Sequence, residues 1–148
     1  MTLRSPIRIA AASALVMVAL AGCGSDEASS NTTTAAAAAA SGPITAADPD
    51  AFVAAMGAPG AVLLDVRTPA EFAEGHIDGA INIDFESAGF ADAVGALHRD
   101  VPYAIYCRSG NRSGQAEAVM AGMGFTSMTD LTGGIGAWTA AGMKVVTG

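Results

Sequence analysis

The chain has 148 residues, 7 basic and 14 acidic, and a formal net charge of −7, a length that predicts one domain. Its acidity argues against nucleic acid as a partner and against electrostatic attachment to anionic lipid.

The first third differs in character from the rest. Arg4 and Arg8 flank an apolar run, Ile9 to Leu20, which is shorter than the roughly 20 residues of a membrane-spanning helix and fits the apolar part of an export signal. Leu20-Ala21-Gly22-Cys23 follows and resembles the lipobox of bacterial lipoproteins. That resemblance implies cleavage before Cys23 and lipidation of its thiol. Residues 1–22 thus read as a lipoprotein signal peptide, and residues 23–42 as the lipidated Cys23 and a tether. The tether is rich in Ser, Thr and Ala and has no large apolar side chain to bury, which predicts a flexible segment. Its run Ala35 to Ala40 is too short to hold a helix alone in water. The expectation is an exported domain, outside the cytoplasm, attached to a membrane through lipid. Without Arg4 and Arg8, 5 of the 7 basic residues remain against 14 acidic ones, a net charge of −9. Once Cys23 is lipidated, Cys107 has no intrachain disulfide partner. The domain, residues 43–148, must then be held by its core, and about 105 residues suffice for a modest one.

Strand-like and helix-like segments alternate along that domain, which predicts an α/β fold with a parallel sheet. Ile44-Thr45 begins a short strand. Asp48-Pro49 carries the signature of a helix start, with an N-cap followed by proline at the first position. Ala61 to Val66 is an apolar run broken by Asp65, as expected of a strand buried on both faces. Thr68-Pro69-Ala70-Glu71 matches a capping box. Ala80 to Ile83 is another strand, Phe90 to Leu97 a helix, and Val101 to Tyr106 a third buried strand. A helix is expected over Ser113 to Met123, then a strand from Gly124-Phe125 through Leu131. A Gly133-Gly134 turn and a helix over Ile135 to Ala141 complete the domain.

Between the strand ending at Tyr106 and the helix after it lies Cys107-Arg108-Ser109-Gly110-Asn111-Arg112-Ser113. A thiol at such a turn, beside two arginines and a glycine, has surroundings that favour the nucleophilic thiolate. Of the few basic residues left after the leader, two lie here, which points to a pocket for a small anion. The expected arrangement is a nest of backbone N–H groups from residues 108 to 112 around the sulfur, backed by the helix N-terminus near Ser113. Gly110 supplies the backbone conformation that a side chain forbids. Arg108 and Arg112 are positioned to bind a small anion, with Ser109 and Ser113 as further hydrogen-bond donors. Arg112 can also brace the loop through a salt bridge, and Arg108 is expected to point outward. Asp65, Arg67, Glu71 and His76 are read as structural support. Asp65 needs a partner in an apolar strand, Arg67 and Glu71 are spaced to pair, and His76 has no metal-ligating cluster around it. Met120, Met123, Phe125 and Trp138 read as core or pocket wall, and Arg99 and Asp100 as surface.

Three stretches together resemble the rhodanese domain. Leu64 to Phe72 with Gly75 to Ile83 looks like its first signature, Tyr106 to Ser113 its catalytic loop in single-domain bacterial sulfurtransferases, and Leu131 to Trp138 its C-terminal signature. The resemblance implies a single-domain, rhodanese-like α/β fold with a five-stranded parallel sheet flanked by helices. It also implies sulfur transfer through a persulfide on Cys107, from thiosulfate or a similar small anionic donor to a thiol or cyanide acceptor, with no cofactor and no metal. A phosphatase or arsenate reductase loop of the Cys-x5-Arg type is disfavoured, because only four residues separate Cys107 from Arg112. A persulfide carrier with little turnover of free thiosulfate needs the same loop and remains the alternative. An inactive scaffold is disfavoured by the retained Cys107.

Overall fold

The computed structural model describes residues 44–148. The predicted signal peptide, the tether and Cys23 lie outside the described residues. Ten elements follow in chain order: β1 (Thr45–Ala47), α1 (Pro49–Met56), β2 (Val62–Asp65), α2 (Pro69–Glu74), β3 (Ile81–Asn82), α3 (Phe90–Gly95), β4 (Tyr103–Tyr106), α4 (Asn111–Gly122), β5 (Met128–Leu131) and α5 (Gly134–Ala140). The strands form one sheet in the order β1-β5-β4-β2-β3, and every pairing is parallel.

Alternation along the strands divides the core between the two faces of the sheet. Leu64, Ile105, Cys107 and Met128 pack with Phe90 and Val94 of α3 and with Ala116 and Met120 of α4. Leu63, Ala104, Tyr106 and Leu131 pack on the other face with Phe52 of α1, Trp138 of α5 and Ile77. The central strand, β4, is buried along its whole length. Strand order reverses between β2 and β4, the place where parallel sheets open a crevice at the carboxyl ends of their strands. Cys107 leaves β4 at that crevice.

The helix starts form as their local chemistry dictates. Asp48 Oδ1 accepts from Ala51 N at 2.9 Å, with Pro49 in the first turn. Thr68 and Glu71 complete a capping box. Four boundaries differ from expectation by two residues or more: α3 stops at Gly95 rather than Leu97, β4 starts at Tyr103 rather than Val101, and the starts of α4 and β5 also move. α4 begins at Asn111, two residues early, because Gly110 at φ +97° turns the chain directly into the helix. The last strand begins only at Met128, because Gly124 and Phe125 close α4 instead. Gly124, at φ +93°, donates to Ala121 O, and Phe125 N donates to Met120 O at 3.1 Å. This is the paired-bond stop of a Schellman motif, sealed by Met120 and Phe125 within one core cluster.

Candidate active site

Cys107 is a free thiol and only 1% exposed. Its sulfur accepts from Gly110 N at 3.1 Å and from Ser113 Oγ at 3.4 Å. Burial pushes the thiol's pKa up. The Ser113 hydroxyl and the backbone amides of Ser113, Ser109 and Gly110 more than offset that, and the net displacement is downward. The surrounding N–H groups therefore come from residues 109, 110 and 113. They are not a continuous series from 108 to 112, because the chain is already helical from Asn111.

The loop keeps this shape because its carbonyls are held from behind. Ile135 N donates to Cys107 O at 2.9 Å, and Gly136 N donates to Arg108 O at 3.3 Å. With those oxygens turned toward α5, the following amides are left to face the sulfur. Gly134, at φ +60°, makes the approach feasible: a Cβ there would overlap the Cys107 carbonyl oxygen and the backbone of Arg108 and Ser109. The sequence marks Gly133-Gly134 as a turn, but its role as the backstop of a distant loop depends on tertiary contact.

Arg112 does not point into the loop as a vacant cation. Its guanidinium makes a two-pronged pair with Glu71, at 2.7 and 2.8 Å, and a third contact with Glu86 at 3.2 Å. The hydrogen bonds of Arg112 hold the Glu71 carboxyl down at about 2, and Glu71 in turn raises Arg112. The expected Arg67–Glu71 pair is thus replaced. Arg67 instead turns to Asp65, with Nε 2.9 Å from Oδ2, and donates to Gly75 O at 2.7 Å. Burial lowers the Arg67 pKa, but the Asp65 hydrogen bond and charge prevail and raise it overall. Arg67 and Glu71 still border one cleft, but Asp65 and Arg112 offer them nearer partners, so each pairs elsewhere.

Arg108 is exposed and borders a cleft of about 290 Å³ with Glu71, Glu74, Ile135 and Gly136; Cys107 is not part of its lining. Ser109 is exposed and approaches the sulfur through its amide. Asn111 turns along the helix, where its side-chain oxygen accepts from Gln115 Nε2 at 2.8 Å, so it faces away from the sulfur. His76 stacks on Phe72 with ring centres 3.7 Å apart. Its backbone forms a two-way bridge with Val146 at 2.8 Å, which pins the C-terminal segment. Tyr106 Oη accepts from Ile77 N at 3.0 Å, and Asn82 Nδ2 donates to the Asp65 and Arg67 carbonyls. Those three hydrogen bonds, between groups far apart along the chain and so without a local sequence mark, brace the β2 end of the crevice. Met120, Phe125 and Trp138 are core. Arg99 and Asp100 are exposed, with Arg99 lying over Phe125. Among the described residues no cluster of His, Cys, Asp and Glu is arranged to hold a metal ion, and no helix is long and apolar enough to cross a membrane.

Sequence comparison matches residues 48–141 to the family model of the rhodanese-like domain. The thiosulfate sulfurtransferase GlpE of Pseudomonas entomophila is 38% identical over 84 residues, which is 57% of this chain and 75% of that protein. Its counterpart in Pseudomonas putida is 40% identical over 81 residues, covering 55% and 72%. Among solved structures, a rhodanese-related protein from Thermoplasma volcanium superposes with a TM-score of 0.62 at 30% identity, covering 70% of this chain and 99% of that one.

Proposed function

The chain belongs to the rhodanese-like domain family, and on that footing we propose that it is a sulfurtransferase working through a persulfide on Cys107. The observation that carries this reading is the cradle around the Cys107 sulfur: N–H and O–H donors offset its burial and favour the anion. The thiolate attacks the outer sulfur of thiosulfate, forms the Cys–S–S⁻ persulfide and releases sulfite with the bonding electrons. A thiolate or cyanide then takes the terminal sulfur, giving a new persulfide or thiocyanate, and the Cys107 thiolate returns. The resting form carries its charge on the Cys107 sulfur and the loaded form on an outer sulfur about 2 Å further out, so donors converging on this loop stay close to the negative charge in both. Burial suits this chemistry as well, since only a donor with a slim one-atom end reaches a sulfur that is 1% exposed.

In this reading Arg112 holds the loop in place through Glu71, and Arg108, beside the cleft, attracts the oxyanion end of the donor. Ser109, Gly110 and Ser113 bind the sulfur, and Asn111 starts the helix behind it. Asp65, Arg67, Glu71 and His76 brace the loop and its neighbours. A second reading is a persulfide carrier with little turnover of free thiosulfate. It is favoured by the commitment of Arg112 to Glu71 and Glu86, which leaves Arg108 as the loop's other arginine for a small anion. Outside the described residues, we further propose export, lipidation of Cys23 and attachment to a membrane through residues 23–42, on the strength of the lipobox-like tetrapeptide.

The test is intact mass after incubation with thiosulfate, together with thiocyanate production on adding cyanide. A gain of one sulfur on Cys107 with sustained turnover, both absent in Cys107→Ser, is the expected result. The mass gain without turnover would favour the carrier. No sulfur on Cys107 would overturn both readings.

A further inference from the structure

α4 buries Ser113, Ala116, Glu117 and Met120, one face at helical spacing. A buried acid needs a partner, yet Glu117 is only 6% exposed. Across from it, Asp130 pairs in register with Ile105 of β4. Alternation places it on the same side of the sheet as Met128, the side that α4 covers. Glu117 Oε1 and Asp130 Oδ1 are both buried with no hydrogen-bond partner. Among the described residues the ion pairs join Arg67 to Asp65, and Arg112 to Glu71 and Glu86, so neither acid is neutralised by a cation.

Burial lifts the Glu117 carboxyl to about 7, and the Asp130 charge adds to that. Asp130 is also raised by burial, against a downward pull from the Ser113 hydroxyl. Two carboxyls in this position do not both ionise readily, and they titrate as a pair. The same Ser113 hydroxyl lies 3.4 Å from the Cys107 sulfur. Asp130 Oδ2 comes within 3.8 Å of where a Cβ on Gly110 would sit, so this acid lies against the sulfur-binding loop.

A serine hydroxyl has one proton to donate. While the pair retains a proton, a protonated carboxyl can donate to Ser113 Oγ, and the Ser113 proton is left for the sulfur. Once both acids ionise, the carboxylate competes for that proton and a further negative charge stands behind the thiolate. We propose that Glu117 and Asp130 are positioning residues for the sulfur chemistry, a proton-sharing pair that acts through Ser113 on how readily Cys107 carries negative charge. This rests on the proposed role of Cys107 as the sulfur carrier.

The other charged and titratable groups nearby are engaged elsewhere. Arg112 on α4 is turned to Glu71 and Glu86. On β4, the Tyr103 hydroxyl donates to His98 O, and Tyr106 faces the opposite cluster. Asp92 of α3 and Asp50 of α1 are exposed, and β1 and α5 carry no titratable side chain.

The experiment follows thiolate absorbance against pH in the full chain carrying Cys23→Ser, where Cys107 is the sole cysteine. It compares that protein with Glu117→Gln, alone and combined with Ser113→Ala. Glu117→Gln removes negative charge behind the sulfur, so the apparent Cys107 pKa falls by about half a unit or more, a roughly threefold rise in the thiolate-to-thiol ratio. In the Ser113→Ala background that fall shrinks to less than half. Asp130→Asn, near-isosteric, shifts the titration in the same direction and serves as the second variant. Superimposable titrations of the parent and both single variants would overturn the proposal, as would an undiminished shift in the Ser113→Ala background. The readout needs no sulfur donor, so its failure is separable from failure of the sulfurtransferase reading, which thiosulfate turnover tests.

Discussion

At Cys107 two physical demands conflict, because burial favours the neutral thiol while the proposed sulfur chemistry needs the anion. The hydrogen bonds decide the outcome. Each bond to a charged group contributes about 1.5–3 kcal/mol, and several donors converge on one sulfur. In the proposed sulfurtransferase, specificity at this scale falls to Arg108, which is exposed beside the cleft and holds the loop through its backbone carbonyl rather than its side chain. Arg108→Ala is therefore expected to raise the KM for thiosulfate several-fold while the melting temperature stays unchanged. A fall in melting temperature with unaltered KM would assign Arg108 a bracing role instead.

Among the elements, α2 and α4 meet through Glu71, which caps its own helix and grips Arg112. Because its folded pKa is depressed to about 2, its contribution is complete above the ordinary carboxylate range. It declines as pH falls through that range and is gone below about pH 2. Glu71→Gln should cost about 1 kcal/mol at neutral pH, and the difference from the parent should fade over that acid window in urea titrations. A cost independent of pH would place its contribution in packing. α5 acts on the loop from the other side. Gly134→Ala forces a Cβ into the Cys107 carbonyl, and about 2 kcal/mol of stability should be lost. The Cys107 titration should also move toward that of an ordinary thiol. Unchanged stability and titration would mean the loop keeps its shape without this support.

Seen across the whole molecule, the local rules were legible and the long-range ones were not. The caps at Asp48 and Thr68 lie within a few residues of the groups they satisfy, so their chemistry could be read directly. The Glu71–Arg112 pair joins residues 41 apart, and the loop's support from Ile135 and Gly136 reaches back to Cys107 and Arg108, 28 positions earlier in each case. Neither leaves a local mark. Glu117 lies three and four residues from Met120 and Ser113, a spacing that places all three on one helical face, yet an acid at such a position reads from sequence alone as a solvent-facing residue. The loop at Cys107 stands out because strand, glycine and helix start follow one another without interruption. The five-stranded parallel sheet agrees with the family likeness, and its reversal between β2 and β4 puts the cysteine at a crevice. The proposed attachment to a membrane concerns the entire chain. Cys23→Ala is expected to leave the folded domain active but release it from the membrane fraction, and retention there would contradict lipidation at Cys23.

The most direct measurement is the pH titration of the Cys107 thiol in the otherwise unaltered protein. A midpoint clearly below the roughly 8.5 of a free cysteine is the predicted result. A midpoint at or above that value would mean that burial prevails over the surrounding donors and that the loop does not hold an anionic sulfur.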